Sequence, residues 1–418
     1  MSGRDDDQGL LRLLDHEPTG TSGVDVGRAM AEGRRRRRIR RALTYTGAAG
    51  LSVAVLAGGT LAVGALGSGT AGPLATAPAG AGSGPSGSPV AVPAVTGEAP
   101  PPPTRCAVSM LPVPDGVPMA LVTGADPTGR ILLGRSYPRS GENQVLIWVD
   151  GEPTKVPMPG DDQMLHDVTT GGLAVGTTYQ RLRAGEEGVG PVPYAYADGK
   201  LTRLRGVTFG SATAVNEAGK VVGVDDRTRR PVVWASPASE AEPLPLPAGA
   251  VSGMAHDVDE DGTVVGAIST DAGRVDRPYV WFPDGTHREL PVPKGGEATG
   301  GGAFTVRNGW ATGVLAKDRT STTSAARWNV RTGEVRAFPE FAIRASTANA
   351  HGWQVGTGRQ GSALFLSDAG PVALPGLVER EPGDLADIGE TVSDDGRTIG
   401  GQSEDGSGTI RAVVWRCA

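Results

Sequence analysis

Asp257, Asp259 and Asp261, followed by Gly262, spell D-x-D-x-D-G, the opening of a calcium loop. Carboxylates at positions one, three and five of such a loop converge on a hard cation, and the glycine permits the turn between them. The twelfth position is Ile268, where an EF-hand carries Glu. Similar runs recur as Asn216-Glu217-Ala218-Gly219 and Ser393-Asp394-Asp395-Gly396. Asn, Asp and Gly are what a tight turn selects for backbone reasons. A plain turn outweighs calcium as the reading, so no residue is assigned to a metal or a cofactor.

His166 and His256 each precede Asp-Val, and they occupy one slot of a repeating pattern in which Thr213 and Glu390 also stand. A slot that accepts His, Thr and Glu argues against a metal or a catalytic role. No G-x-S-x-G elbow, H-E-x-x-H pair or phosphate-binding glycine loop occurs. Acid pairs suited to glycoside hydrolysis exist, but residues 106–418 hold 38 acids, and such pairs arise by chance. Trp148, Trp234, Trp281, Trp328 and Trp415 resemble a sugar-stacking array. Their spacing, one per repeat at a fixed place, is that of core packing. No catalytic residue is assigned.

The elements that position these residues come in two parts. Residues 1–41 end in a run of arginines, Arg34 to Arg38 with Arg40 and Arg41, and residues 42–66 follow without one charge. About 20 apolar residues span a bilayer. Arginines on one flank only set the N-terminus in the cytoplasm. A cleaved signal peptide fits less well, because its apolar core is shorter, about 7–15 residues, and the site-like Ala75-Thr76-Ala77 is followed by Pro78. The expectation is a single-pass anchor at 42–66, with 1–41 cytoplasmic and a C-terminal domain outside the cell. Next to a membrane span the arginine run serves topology and anionic lipid, not nucleic acid. Residues 67–105 read as a disordered Ala/Gly/Pro linker that stiffens at Pro100–Pro103. Residues 106–418 carry 29 basic against 38 acidic residues, net −9, which excludes general attraction to polyanions.

Within 106–418, short apolar runs close on Gly134, Gly176, Gly223, Gly266, Gly313, Gly356 and Gly400. The intervals are 42, 47, 43, 47, 43 and 44 residues. Each unit runs strand, turn, β-branched strand to the glycine, loop, aromatic-bearing strand, turn, and a fourth strand with a Leu-Pro signature. The aromatics are Trp148, Tyr196, Trp234, Trp281, Trp328, Phe365 and Trp415. Proline within sheets is confined to edges, so the fourth strand is an outer edge. Four strands at a period of 40–50 residues predict a propeller blade. Seven units predict an all-β, seven-bladed propeller.

The last unit stops at Val413–Ala418 without a fourth strand, and the missing Leu-Pro signature stands at 109–114. An N-terminal strand therefore completes the last blade. Cys417 lies two residues after Trp415, and Cys106 five before Leu111. In the fourth unit the same offsets, at Pro283 and Gly285, flank a tight turn, so Cys106 and Cys417 are expected to form a disulfide. Such a bond fits an oxidising outer compartment.

The pattern A-x-x-V-N/D-x-x-G-x-V-V-G, at 212–223 and 255–266, followed by an aromatic strand, resembles the bacterial extracellular HAF-type repeat. The resemblance covers 106–418 and implies a propeller outside the cell, with no defined reaction. Arg outnumbers Lys 35 to 5, which looks like a high-GC actinobacterial protein. The function expected is a non-catalytic binding scaffold for an extracellular protein or glycan. The alternative is a carbohydrate-active hydrolase or lyase that uses channel carboxylates.

Overall fold

The computed structural model describes residues 99–418 apart from 115–116, 139–142, 182–188, 271–274, 319 and 382–385, and apart from the side chains of 343–344. The expected cytoplasmic segment, the anchor at 42–66 and the linker up to residue 98 lie outside the described residues. Among the described residues no helix is long and apolar enough to cross a membrane.

Seven four-stranded antiparallel sheets follow one another, at 119–156, 161–203, 210–243, 252–289, 300–338, 341–373 and 388–417. In each of the first six, strand order is sequence order. The seventh has three strands of its own and takes Cys106–Met110 as its fourth. The first strand of every blade packs on the first strands of both neighbours, and the seventh meets the first, so the ring closes. Closure leaves each blade one short outer edge.

The marker glycines have a steric cause. Every inner strand carries a β-bulge, between Val122 and Gly124 in the first blade and Ala255 and Asp257 in the fourth, for example. The second strand crosses it closely. A Cβ at Gly223 or Gly266 would lie 1.9 Å from the carbonyl oxygen of Ser211 or Met254. In the seventh blade the position belongs to Gly401, not Gly400. The bulge there falls between Gly389 and Thr391, and a Cβ at Gly401 would meet the Ile388 carbonyl at 2.0 Å.

The aromatic strands and the Leu-Pro pairs turn out to be one device. Trp148, Trp234, Trp281, Trp328 and Trp415 are buried in the third strands. Each indole N–H donates to a carbonyl of the preceding blade: Pro112, Arg205, Pro245, Pro291 and Pro375, at 2.6–2.8 Å. In every case that carbonyl belongs to the residue after a buried or half-buried leucine: Leu111, Leu204, Leu244, Leu290 or Leu374. The leucine N–H itself donates back to its own third strand, as from Leu290 to Pro278 at 2.7 Å. The pair therefore follows the fourth strand instead of lying within it. Its leucine extends the ladder by one bond, and the next residue, a proline with no N–H to satisfy in every case but Arg205, offers a carbonyl to the next blade. Where the aromatic is Tyr196 or Phe365, the preceding blade ends in Val156-Pro157 or Phe338-Pro339.

Cys106 and Cys417 are disulfide-bonded. They are direct cross-strand partners with Cα atoms 4.0 Å apart, rather than flanks of a turn. The ladder runs on past them, with Thr104 N–H donating to the Ala418 carbonyl at 2.9 Å and Ala418 N–H to that of Arg105.

Candidate functional site

The bulged residues of the seven inner strands are Thr123, His166, Thr213, His256, Phe304, Ser346 and Glu390. This is the slot that holds both histidines. Several of these side chains tie their blade to the next. The Thr123 hydroxyl donates to the Leu165 carbonyl at 2.8 Å, and the Thr213 hydroxyl to the Ala255 carbonyl at 2.9 Å. The Ser346 hydroxyl donates to Glu390 at 3.3 Å, and the His256 ring meets Phe304 edge-on at 5.1 Å. Burial lowers the His166 pKa to about 4, helped by the Arg135 charge and opposed by Asp162, so its ring is neutral at physiological pH.

Asp167 and Asp257 follow the two histidines and make a second set of ties. Asp167 accepts from Val168 N–H at 2.9 Å and from Val215 N–H of the third blade at 2.8 Å. Asp257 accepts from Val258 at 2.8 Å and from Val306 of the fifth blade at 2.7 Å. Burial pushes Asp167 up to about 7, against its hydrogen bonds. Asp257 is raised well above the usual carboxylate range by burial and by the charge of Asp167.

The D-x-D-x-D-G run does not converge on one point. Asp257 spans to Val306. Asp259 is buried and accepts from Glu260 and Asn308 N–H at 2.9 Å and Gly309 N–H at 2.6 Å. Asp261 accepts from Thr263 N–H at 2.7 Å. Among the described residues, no group of three His, Cys, Asp or Glu side chains is arranged to hold a metal ion. The run is a turn: in six blades the turn glycine donates back to the first turn residue at 2.9 Å, as from Gly262 to Asp259, with φ between 68° and 87°.

These turns all lie where the inner strand joins the second, at one end of the channel, and polar contacts stitch that end around the ring. Arg130 donates to the Thr170 carbonyl, Thr170 to Glu217, and Glu217 N–H to Glu260. Asn308 donates to the Ala350 carbonyl, Ala350 N–H to Asp394, and Asp394 N–H to the Pro127 carbonyl. Arg307 of the fifth blade straps the circuit together. Its guanidinium pairs with Glu260 of the fourth blade and with Asp394 of the seventh at 2.8 Å, passing the sixth. The sequence marks Asp394 only as part of a turn and does not mark Arg307. Arg307 reaches both Glu260 and Asp394 only once the blades are assembled into the ring.

The opposite end carries the loops between second and third strands and the links between blades. Of the five exposed large hydrophobics among the described residues, Met110, Tyr179, Val189 and Val251 stand at this end, and only Val149 stands at the turn end. The chain enters the closing strand from the turn end, where Pro103 lies beside Gly396.

These features define a seven-bladed propeller closed by an N-terminal strand and a disulfide, with one channel mouth strapped by an ion network. No protein-family model matches the sequence, and no match to a curated protein is found. Among solved structures the chain is similar to oligogalacturonate lyase from Vibrio parahaemolyticus (12% identity, 74% of this chain and 93% of that one, TM-score 0.49). It is also similar to the β-propeller domain of the Trilobed protease from Pyrococcus furiosus (11% identity, 71% and 95%, TM-score 0.46). A third similarity is to TolB from Acinetobacter baumannii (18% identity, 42% of this chain, TM-score 0.31), of which the chain spans 43%. Likeness at this level concerns the fold alone.

Proposed function

We propose that this chain is a single-pass membrane protein whose outer propeller is a non-catalytic scaffold that binds an extracellular protein or glycan. The HAF-type resemblance belongs to this reading, as does the anchor at 42–66. One observation carries the choice of scaffold over enzyme. The buried channel carboxylates that hydrolysis would need are already committed: Asp167 and Asp257 each bond two backbone N–H groups and hold neighbouring blades together. A hydrolase keeps its acid and its base or nucleophile free to face the scissile bond. The strap at Arg307 supports the same reading, because it crosses the mouth on the turn face. The disulfide supports an oxidising compartment. The tether enters at the turn face, so the loop face is the one turned away from the membrane and offered to partners.

The hydrolase or lyase alternative draws on one fact, that Asp167 titrates near neutrality and could carry a proton. The deciding experiment is proximity labelling from the outer domain in living cells, paired with a screen of cell-wall and environmental polysaccharides. Reproducible labelling of a surface component without turnover is expected. Turnover of any glycan, abolished by Asp167→Asn in a chain that still folds, overturns the scaffold reading.

A further inference from the structure

Five non-glycine residues among those described have φ in the left-handed region. Four are Asp150, Asp162, Asp198 and Asn308, the types that tolerate it. The fifth is Arg229, at φ 56°, in the loop that joins the second and third strands of the third blade. Glycine serves best at such a place, and arginine brings nothing to the turn itself. Its backbone carbonyl accepts from Gly253 N–H at 3.0 Å, which fixes the loop against the start of the fourth blade, while its side chain is exposed. Arg227 is exposed two residues earlier, with its guanidinium 5.4 Å from the centre of the Phe209 ring. Among the described residues neither arginine has a carboxylate partner.

Several apolar side chains stand nearby at the same end of the propeller. A Cβ on Gly190 would touch the Phe209 ring at 2.7 Å, and Val189, 61% exposed, precedes Gly190 in the strand with its side chain on the opposite face. Asp226 N–H donates to the Phe209 carbonyl at 3.0 Å, and Asp226 is close enough to act on the half-exposed phenol of Tyr179. Val251, 44% exposed, stands two residues before Gly253. Tyr179, Val189, Phe209, Arg227, Arg229 and Val251 thus all stand at the loop end, across the second to fourth blades, and make up one mixed apolar and basic strip. Aromatic residues and arginine are the types enriched at protein interfaces.

We propose that this strip docks an acidic segment of a partner protein, with apolar side chains between its carboxylates. The unpaired guanidiniums at Arg227 and Arg229 call for carboxylates, and Tyr179, Val189 and Val251 call for apolar side chains. A long anionic polysaccharide fits worse, because it has no aliphatic groups for the valines. The inference rests on the scaffold reading and names its partner.

The test uses a random dodecapeptide display library selected on the immobilised full-length chain, followed by binding measurements on the best synthetic peptide. The expected peptides combine Asp or Glu with Leu, Ile, Val or Phe, and their binding weakens at high salt. Arg229→Gly should weaken binding at least about tenfold, equivalent to roughly 1.4 kcal/mol, while melting no lower than the parent, since glycine suits that φ. Arg227→Glu should weaken it further. Enriched peptides that are not acidic, or that bind Arg229→Gly and Arg227→Glu as well as the parent, overturn this site and leave the scaffold reading standing. Tighter binding of polygalacturonate than of any peptide also overturns it, in favour of a polysaccharide ligand. Failure of every peptide to enrich, together with glycan turnover in the screen above, sinks the scaffold reading itself.

Discussion

Asp167 is the acid whose titration the fold most clearly moves into the physiological range. Its folded pKa, near 7, lies above the ordinary 3.8, so the folded chain holds this proton more tightly than the unfolded one. The stabilising contribution is complete below about pH 4 and is lost as the pH rises to about 7. Asp167→Asn should therefore gain melting temperature relative to the parent across that interval, with the difference level above it. Calorimetry at several pH values checks this, and a constant difference would refute the assignment. A second residue-scale expectation concerns the latch. Trp281→Phe keeps an aromatic ring but loses the bond to the Pro245 carbonyl and leaves a cavity where the five-membered ring was, and should cost about 2–3 kcal/mol in urea unfolding. Glu260, Arg307 and Asp394 were not legible as a cluster because they stand on three different blades, and no local spacing links them.

At the scale of elements, the closing blade is where the fold depends on covalent help. Its outer strand, Cys106–Met110, comes from the far end of the chain, 311 residues from its disulfide partner. Cross-linking mainly restricts the unfolded chain, by roughly 2–4 kcal/mol in typical cases. The Cys417→Ser chain should lose about 3 kcal/mol, and hydrogen exchange should rise first in Cys106–Met110 and Ile410–Cys417. Uniform loosening of all seven blades would contradict the closing-strand assignment. The repeat length, the strand types and the marker glycines were legible because each reports a local constraint. The one-residue error at Gly400 arose because two adjacent glycines look alike, and only the bulge opposite Gly401 says which one must lack a Cβ.

For the whole molecule, topology is the expectation with the largest consequence. An anchor at 42–66 places 106–418 outside. Protease added to intact spheroplasts should then digest the propeller and leave a small membrane-bound fragment, whereas complete protection of the large domain would defeat the proposal. The chain enters the closing strand at the turn end, where Pro103 lies beside Gly396. With the tether at the turn end, labels on loop-face residues such as Val251 should react in intact cells more readily than labels near Gly396.

Seven blades, four strands in each, closure by an N-terminal strand and the Cys106–Cys417 pairing were all determined by the sequence itself. A propeller is a repeat whose sterics recur every 40–50 residues, so each unit reports the same local need for a glycine, a turn and an aromatic. Contacts between blades were decided only in the tertiary structure. The indole-to-carbonyl latch, the Arg307 strap, the committed carboxylates of Asp167 and Asp257, and the strip around Arg229 each join residues some 20 to 87 positions apart. Their geometry depends on blade angle and ring closure, quantities that no local pattern of residue types encodes.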